Sequence, residues 1–388
     1  PDGTLGTNVT ANGGIVDIDG GTIRGANQFH SFATFSVGTG DMARFNGPVG
    51  TDNVISRVTG GVGSEIDGTI ASTIAGANLY LLNPAGILFG PNAQLDVGGS
   101  FHASTADYLK FADSGIFFAD PTRTSVLSAS APAAFGFLNS NPAAVQAYTS
   151  NVLMVPEGET LSLVGGPVEA GLPDGSAPAF LLASQGRVNL VSVASPGEAG
   201  FGGTGFDVSG FETLGDVRIT GGSIVDGREV YIRGGQLVIE DSLVSPGVLA
   251  FAGLGTPPDG GEVNVQVSED VQISGRGLLF ELFTPGIRTL SGSSDELAPA
   301  ADAADIRLEA GGTVSVTGVA AVQSDRLGPG DAADLTITAD TVTVSEGGSI
   351  SVNNLYAGSG GTLTVNARHI ELSDSSPDTA FTGLAAQS

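Results

Sequence analysis

The sequence predicts an all-β solenoid on three observations: 60 glycines in 388 residues with few helix formers, short alternating apolar runs bounded by glycine, and a recurrence near 28 residues. Glycine at that level without a G-X-Y period is not collagen. Aromatic content of 6% and no Trp leave Val, Ile, Leu and Ala to fill a narrow interior. The recurrence is clearest in DIRLEAGGTVSVTG (305–318), DLTITADTVTVSEGGSISV (334–352) and TLTVNARHIELSD (362–374), where Ile306, Leu335 and Leu363 sit 29 and 28 residues apart. Similar runs begin near residue 158 and include GETLSLV, GRVNLVSV, GQLVIEDSLV and GEVNVQV.

The segment Asn78 to Phe101, NLYLLNPAGILFGPNAQLDVGGSF, places two tight turns between three short apolar runs. Asn83-Pro84-Ala85-Gly86 offers an acceptor side chain at i, a fixed φ at i+1 and Gly at i+3, the preferences of a type I turn, and Ala85 at i+2 opposes type II. Asn83 is expected to bond backbone across the turn, and Gly86 to let the next coil approach closely. A second reversal is expected at Gly90-Pro91-Asn92.

With FHSFATFSV (29–37), NVISRVTGG (53–61), SEIDGTI (64–70) and SFHASTADYLKFAD (100–113), this segment resembles the amino-terminal secretion (haemagglutination activity) domain of filamentous-haemagglutinin-like exoproteins. The ordered match covers roughly residues 1–120. The family's NPNG turn is here NPAG, and no NPNL precedes it. What the resemblance implies is a right-handed parallel β-helix with an amino-terminal β cap and extra-helical loops or hairpins. It also implies two-partner secretion in a Gram-negative cell: transit through the periplasm, recognition by an outer-membrane β-barrel transporter with periplasmic binding domains, folding outside, and residence as a secreted or cell-surface protein. Asn83, Pro84, Gly86 and Ile87 become the candidate recognition or structural turn.

Residues 1–150 hold 11 of the 19 Phe, so they read as cap and first coils, with 151–388 as continuing repeats. Phe29, Phe32, Phe35, Phe89 and Phe101 are the expected cap and core rings, plugging the open end of the solenoid. The spacing of Phe29, Phe32 and Phe35 is helical, but Ser31, Thr34 and Val37 oppose helix. Ser128 to Pro142, Gly165 to Pro178 and Ser291 to Ala304 read as loops leaving the coil at its corners. The opening PDGTLGTNVT reads as a mature amino terminus.

Formal charge is −27, with Lys110 the single lysine, so nucleic acid and anionic membrane are poor partners. The acidity keeps a strand-rich surface soluble and favours a monomer. Without cysteine there is no disulfide, thiolate metal site or cysteine nucleophile, and no covalent loop to obstruct passage through a pore. No run of about 18 apolar residues occurs.

An enzyme reading finds little support. There is no Asp-Asp pair, and His30, His102 and His369 share no ligand-like spacing. His102 and His369 are expected outward and solvated. Asp67, Asp96 and Asp216 read as turn acceptors or solubilising charges. Gly202 to Asp207 matches one imperfect calcium-binding nonapeptide start and reads as a glycine-rich corner. The sequence therefore predicts no catalytic residue, metal or cofactor. The rival reading is an adhesin rod that binds carbohydrate or a host surface along its coil faces or at 165–178 and 291–304, with a β-helix polysaccharide-degrading enzyme third.

Overall fold

The structure is a computed structural model describing residues 1–172, 174–248, 259–277, 279, 283–291, 302–326, 333–354, 361–374 and 381–387. Two compact units are formed, Pro1–Glu169 with Asn189–Asp216, and Ala170–Val188 with Val217–Ser388. Most of the expected loop at 291–304 lies outside the described residues.

In the first unit, parallel coils follow from three columns of strands. Asn27–Phe32, Asn53–Val58, Asn78–Leu82, Phe101–Ser104 and Thr160–Gly165 pair in that order, all parallel. Ser64–Ile66, Ile87–Phe89 and Val145–Ala147 form a second column. Ile15–Gly20, Met42–Phe45, Thr69–Ser72 and Gln94–Asp96 form the third. Three strands and three bends per coil explain why Gly and Pro punctuate the sequence every few residues. The first coil is covered by antiparallel hairpins: Thr7–Asn12 pairs with Ile15–Gly20, and Thr22–Arg24 with Asn27–Phe32.

Alternation buries both faces of the first column. Val54, Leu79, Leu81 and Phe101 share one face, while Phe29, Ile55, Tyr80 and Leu82 occupy the other, and all are at most 5% exposed. That second face is covered by a five-stranded antiparallel sheet, Ile116–Phe118, Tyr108–Phe111, Pro132–Phe137, Gly197–Gly202 and Gly205–Asp207. Phe111, Phe117, Phe135 and Phe206 bring its apolar side onto Phe29 and Tyr80. The unit therefore has two cores, one inside the coils and one outside. A solenoid with a single interior, the simplest reading of the repeats, is corrected here. The expected loop at 128–142 is corrected too, because Pro132–Phe137 is a central strand of the covering sheet. Gly136 admits the flat Tyr108 ring, since a Cβ there would meet that ring at 1.9 Å. In Gly165 to Pro178, Val168–Ala170 is likewise a strand.

The second unit continues the grammar with longer strands. Glu262–Val267 pairs in parallel with Asp305–Ala310, and that strand with the first part of Leu335–Ser345. Leu237–Glu240, Val271–Gly275 and Thr313–Gly318 stack beside them, as do Gly286–Ser291, Ala321–Arg326 and Ser349–Asn354. Ile306, Leu335 and Leu363 are direct register partners, so the 28–29-residue spacing is one coil. Inward Val, Ile and Leu on these strands are nearly all below 2% exposed. Each buried aliphatic side chain contributes about 1.5–3 kcal/mol of transfer free energy before the entropy of ordering is counted.

Candidate functional site

The corner built by the two predicted turns is a hydrogen-bonded unit spanning three coils. Gly86 N donates to Asn83 O at 3.1 Å, closing the β-turn, and Ala85 N donates to Asn83 Oδ1 at 3.0 Å. The Asn83 Nδ2 group donates to Val62 O and to Ser64 Oγ, both at 2.9 Å. Both ends of the amide are thus engaged, and Asn83 is 1% exposed. Ser64 N in turn donates to Gly86 O at 3.0 Å. Ala85 does not adopt positive φ, as a type I turn requires. Gly86 has φ of 114°, a region costly for any side chain. A Cβ on it would make only ordinary contacts at 3.7 Å with Ala143 and Ala144. Backbone conformation, not close approach, is therefore what demands glycine there, which corrects the packing expectation. Pro84 is half-buried, and Ile87 is 2% exposed on the interior column.

The second turn closes through Ala93 N to Gly90 O at 3.0 Å. Its organiser is Asp67, one coil earlier: Asn92 N donates to Asp67 Oδ1 at 2.8 Å, Asn92 Nδ2 reaches both carboxylate oxygens, and Thr39 Oγ1, one coil earlier still, donates to Oδ2. The Thr39 hydroxyl and then the Asn92 amide hold this carboxyl below the usual carboxylate range. Around buried Asn83 and Ser64, the outer surface is made by Gly60, Gly61 and Val62, with Val62 60% exposed, and by exposed Pro91 and Asn92.

The five expected rings are all buried, in three places. Phe32 and Phe35 join Phe45 and His30 in the first coil, with centroids 5.1–6.3 Å apart. Phe89 and Phe101 meet edge-on at 6.0 Å in the interior. Phe29 packs outside the coil, against Phe111 and Phe117. Asn27–Phe32 is strand, so the helical spacing of Phe29 and Phe32 is overridden, and alternation sends them to opposite faces.

Two arrangements gave little warning in the sequence. Asn53 Nδ2 donates to Asn27 Oδ1 (2.8 Å), Asn78 Nδ2 to Asn53 Oδ1 (3.1 Å), and Ser100 N to Asn78 Oδ1 (3.0 Å), a ladder with one rung per coil. Asn27 Nδ2 ties its start to Ser128 O and Ser130 O. An Asn opening each of three strands at coil spacing was the available signal. Arg57, 4% exposed, donates to Ser31 Oγ, Phe118 O and Thr4 Oγ1 and lies over the Phe117 ring at 4.9 Å. One cation thereby fastens the amino-terminal segment, the coil and the covering sheet.

The histidines divide. His369 is exposed, as expected. His102 lies within a strand and is 6% exposed, stacked on Tyr80 at 4.6 Å with Nδ1 3.0 Å from Ser162 Oγ, so the solvated expectation is corrected. His30 is wholly buried, with Nδ1 3.3 Å from Thr7 Oγ1. Burial pushes His30 down to about 4 and His102 to about 3, so both are neutral at pH 7. Gly202 to Asp207 is the tip of an antiparallel hairpin, with Gly202 opposite Gly205. Among the described residues no three His, Asp or Glu gather as metal ligands.

A family model described as the TPS secretion domain, TPS being two-partner secretion, matches residues 1–243, more than half of the chain. The heme/hemopexin-binding protein of Haemophilus influenzae is 32% identical over 108 residues, 28% of this chain. The chain covers 11% of the length of that relative. The crystal structure of the HMW1 secretion domain from Haemophilus influenzae aligns with a TM-score of 0.40 and 14% identity, covering 94% of this chain and 97% of that one. TPS secretion domains are the parts of exoproteins that mark them for export by a partner transporter in the outer membrane, and by the match over residues 1–243 this chain belongs to the TPS secretion domain family.

Proposed function

We propose that the corner at Asn83–Ala93 is the surface read by the partner transporter, with buried Asn83 and half-buried Gly86 and Asp67 shaping it and Val62, Pro84, Pro91 and Asn92 making the contact. The carrying observation is the full engagement of the Asn83 amide at 1% exposure. A side chain so committed has no donor left for a partner, so it acts through the turn that it holds. Pro84 and Ile87 fix the entry and exit of that turn.

The chain crosses the periplasm and the transporter unfolded and folds outside as a monomer without a catalytic role. Residues 1–150 supply the cap and first coils, and 151–388 add repeats. Absence of cysteine leaves no cross-link to block threading, and each added coil buries apolar side chains on the one before it, which biases movement outward.

The test is export of Val62→Asp, Asn83→Ala and Asn83→Asp variants with the cognate transporter, beside the unfolding free energy of each purified chain. Val62→Asp is expected to reduce export with stability unchanged, and Asn83→Ala to reduce both. Export that stays intact in Val62→Asp and in a destabilised Asn83→Ala chain would overturn the assignment.

A further inference from the structure

The pair Asn-Gly occurs twice in the chain, as Asn12-Gly13 and Asn46-Gly47, and the fold treats the two differently. An asparagine followed by glycine is prone to deamidation, because no Cβ shields the glycine nitrogen and its backbone freedom lets that nitrogen meet the side-chain amide carbon. Asn12 ends the outer strand of the first hairpin, and Gly13 and Gly14 make its two-residue turn at φ 55° and 87°, both positive as a type I′ turn requires. Ala11, Asn12, Gly13 and Gly14 are all exposed, and a Cβ built on Gly13 would meet nothing within 4 Å. Among the described residues the Asn12 amide makes no hydrogen bond and Gly13 N donates none. Both reacting groups are open to each other and to water.

Asn46-Gly47 is held shut. Asn46 is half-buried, its Nδ2 donates to Asp17 Oδ1 at 2.9 Å and to Arg44 O at 3.3 Å, and Thr73 Oγ1 donates to its Oδ1 at 2.9 Å. Asp17 is itself fixed by two bonds from Arg44. Swinging the Asn46 amide carbon onto Gly47 N would break all of the bonds that the amide makes.

We propose that Asn12-Gly13 is a self-modification site, at which the chain converts one asparagine to aspartate and isoaspartate and so loosens its own amino-terminal hairpin. Gly13 N gives its proton to hydroxide and attacks Asn12 Cγ. The N–Cγ bond forms, the Cγ–Nδ2 bond breaks, and ammonia leaves with a proton taken from water, which returns the hydroxide and closes a succinimide. Water then opens the ring. Cleavage at Cγ leaves an aspartate, and cleavage at the backbone carbonyl leaves an isoaspartate, whose main chain runs through Cβ and Cγ and is one carbon longer. Nothing is oxidised or reduced. The longer main chain takes position 12 out of register with Ile15. It also strains the bond from Met42 N to Gly14 O, 2.8 Å, that ties the turn to the next coil. Asp41 lies alongside, since a Cβ on Gly14 would sit 3.5 Å from its Oδ1, so the new carboxylate joins one already there. Asn12 takes no part in the corner at Asn83–Ala93, and this chemistry is independent of export.

The experiment is peptide mapping by mass spectrometry of the purified 388-residue chain, folded and urea-unfolded, held for days in mildly alkaline buffer. Cleavage at arginine puts the sites in separate peptides, 1–24 and 45–57, and fragment ions assign the changed position. Relative to its own rate in urea, Asn46 is expected to be protected at least about tenfold more than Asn12, the scale of one or two hydrogen bonds. Thr73→Val, an exposed change that removes the donor to Asn46 Oδ1, is expected to speed Asn46 about fivefold and leave Asn12 unchanged. In the aged chain, amide hydrogen exchange is expected to quicken in Thr7–Asn12 and Ile15–Gly20 and not in Asn53–Val58. Asn12→Gln, whose longer side chain closes a ring far more slowly, is expected to keep both its mass and its exchange on ageing. Equal protection of the two sites, conversion of 45–57 before 1–24, or unchanged hairpin exchange once 1–24 is converted would overturn the proposal.

Discussion

Gly86 and the two buried histidines show how single positions set the behaviour of the first unit. Gly86 sits at φ 114° with room for a methyl group, so Gly86→Ala is expected to cost about 1–3 kcal/mol through backbone strain alone. Urea unfolding of that variant, alongside Ala85→Gly as a control on the same turn, measures it. His30 and His102 have folded values lowered from 6.5 to about 4 and about 3, so the unfolded chain binds protons first on acidification. Their contribution to stability is complete above pH 6.5 and is lost as pH falls from there toward the folded values. Each costs about 1.4 kcal/mol per pH unit across that window. The Asp67 carboxyl, lowered from 3.8, loses its contribution only as pH falls through 3.8, leaving pH 6.5–5 to the histidines. The urea midpoint is expected to drop between pH 7 and 5, by about half as much in His102→Gln. A flat profile over that range would contradict neutral burial.

At the scale of elements, the first unit's sheets are joined by features that act across coils. Asn53 accepts from Asn78 and donates to Asn27, so Asn53→Ala breaks two rungs at once. A loss of about 1–3 kcal/mol is expected, since the buried Asn27 amide and the half-buried Asn78 amide are each left short of a partner. Double-mutant cycles with Asn27→Ala are expected to be non-additive, because the two share a rung. The covering antiparallel sheet depends on Phe117, wholly buried against Phe29 at 5.1 Å and under Arg57. Phe117→Ala is expected to cost about 3–5 kcal/mol, and hydrogen exchange should speed in Tyr108–Phe111 and Pro132–Phe137 more than in the interior column. Equal acceleration in both would mean that the outer and inner cores unfold as one.

For the molecule as a whole, charge and apolar register set the terms. A formal charge of −27 destabilises any compact state by self-repulsion. The most exposed ion pairs oppose this weakly: Arg276 is 77% exposed and Arg368 83%, and such pairs contribute about 0–1 kcal/mol. Raising salt from about 10 to about 150 mM shortens the screening length from roughly 30 to 8 Å, so repulsion fades more than pairing is lost. The melting temperature is therefore expected to rise over that interval in calorimetry, and a fall would assign the larger share to the surface pairs.

Period and turn chemistry were legible in the sequence because each coil repeats one local problem. Ile306, Leu335 and Leu363 must face the same interior, and Asn83-Pro84-Ala85-Gly86 closes a turn with groups four residues apart or fewer. The use of Asn83 was half visible: its own Ala85 bond could be foreseen, whereas Val62 O and Ser64 Oγ lie one coil away in space. The same division accounts for the corrections. Alternating residues in Asn53–Val58 and Asn78–Leu82 reveal a strand but not that a second sheet covers the outer face, and His102 reads as solvated until Tyr80 and Phe201 close over it. By itself the sequence determined the coil, its spacing and its reversals, since those depend on neighbours along the chain and on a period. Only the tertiary structure decided which faces are dry and which amides are spent, since burial is a property of surfaces brought together from distant parts of the chain.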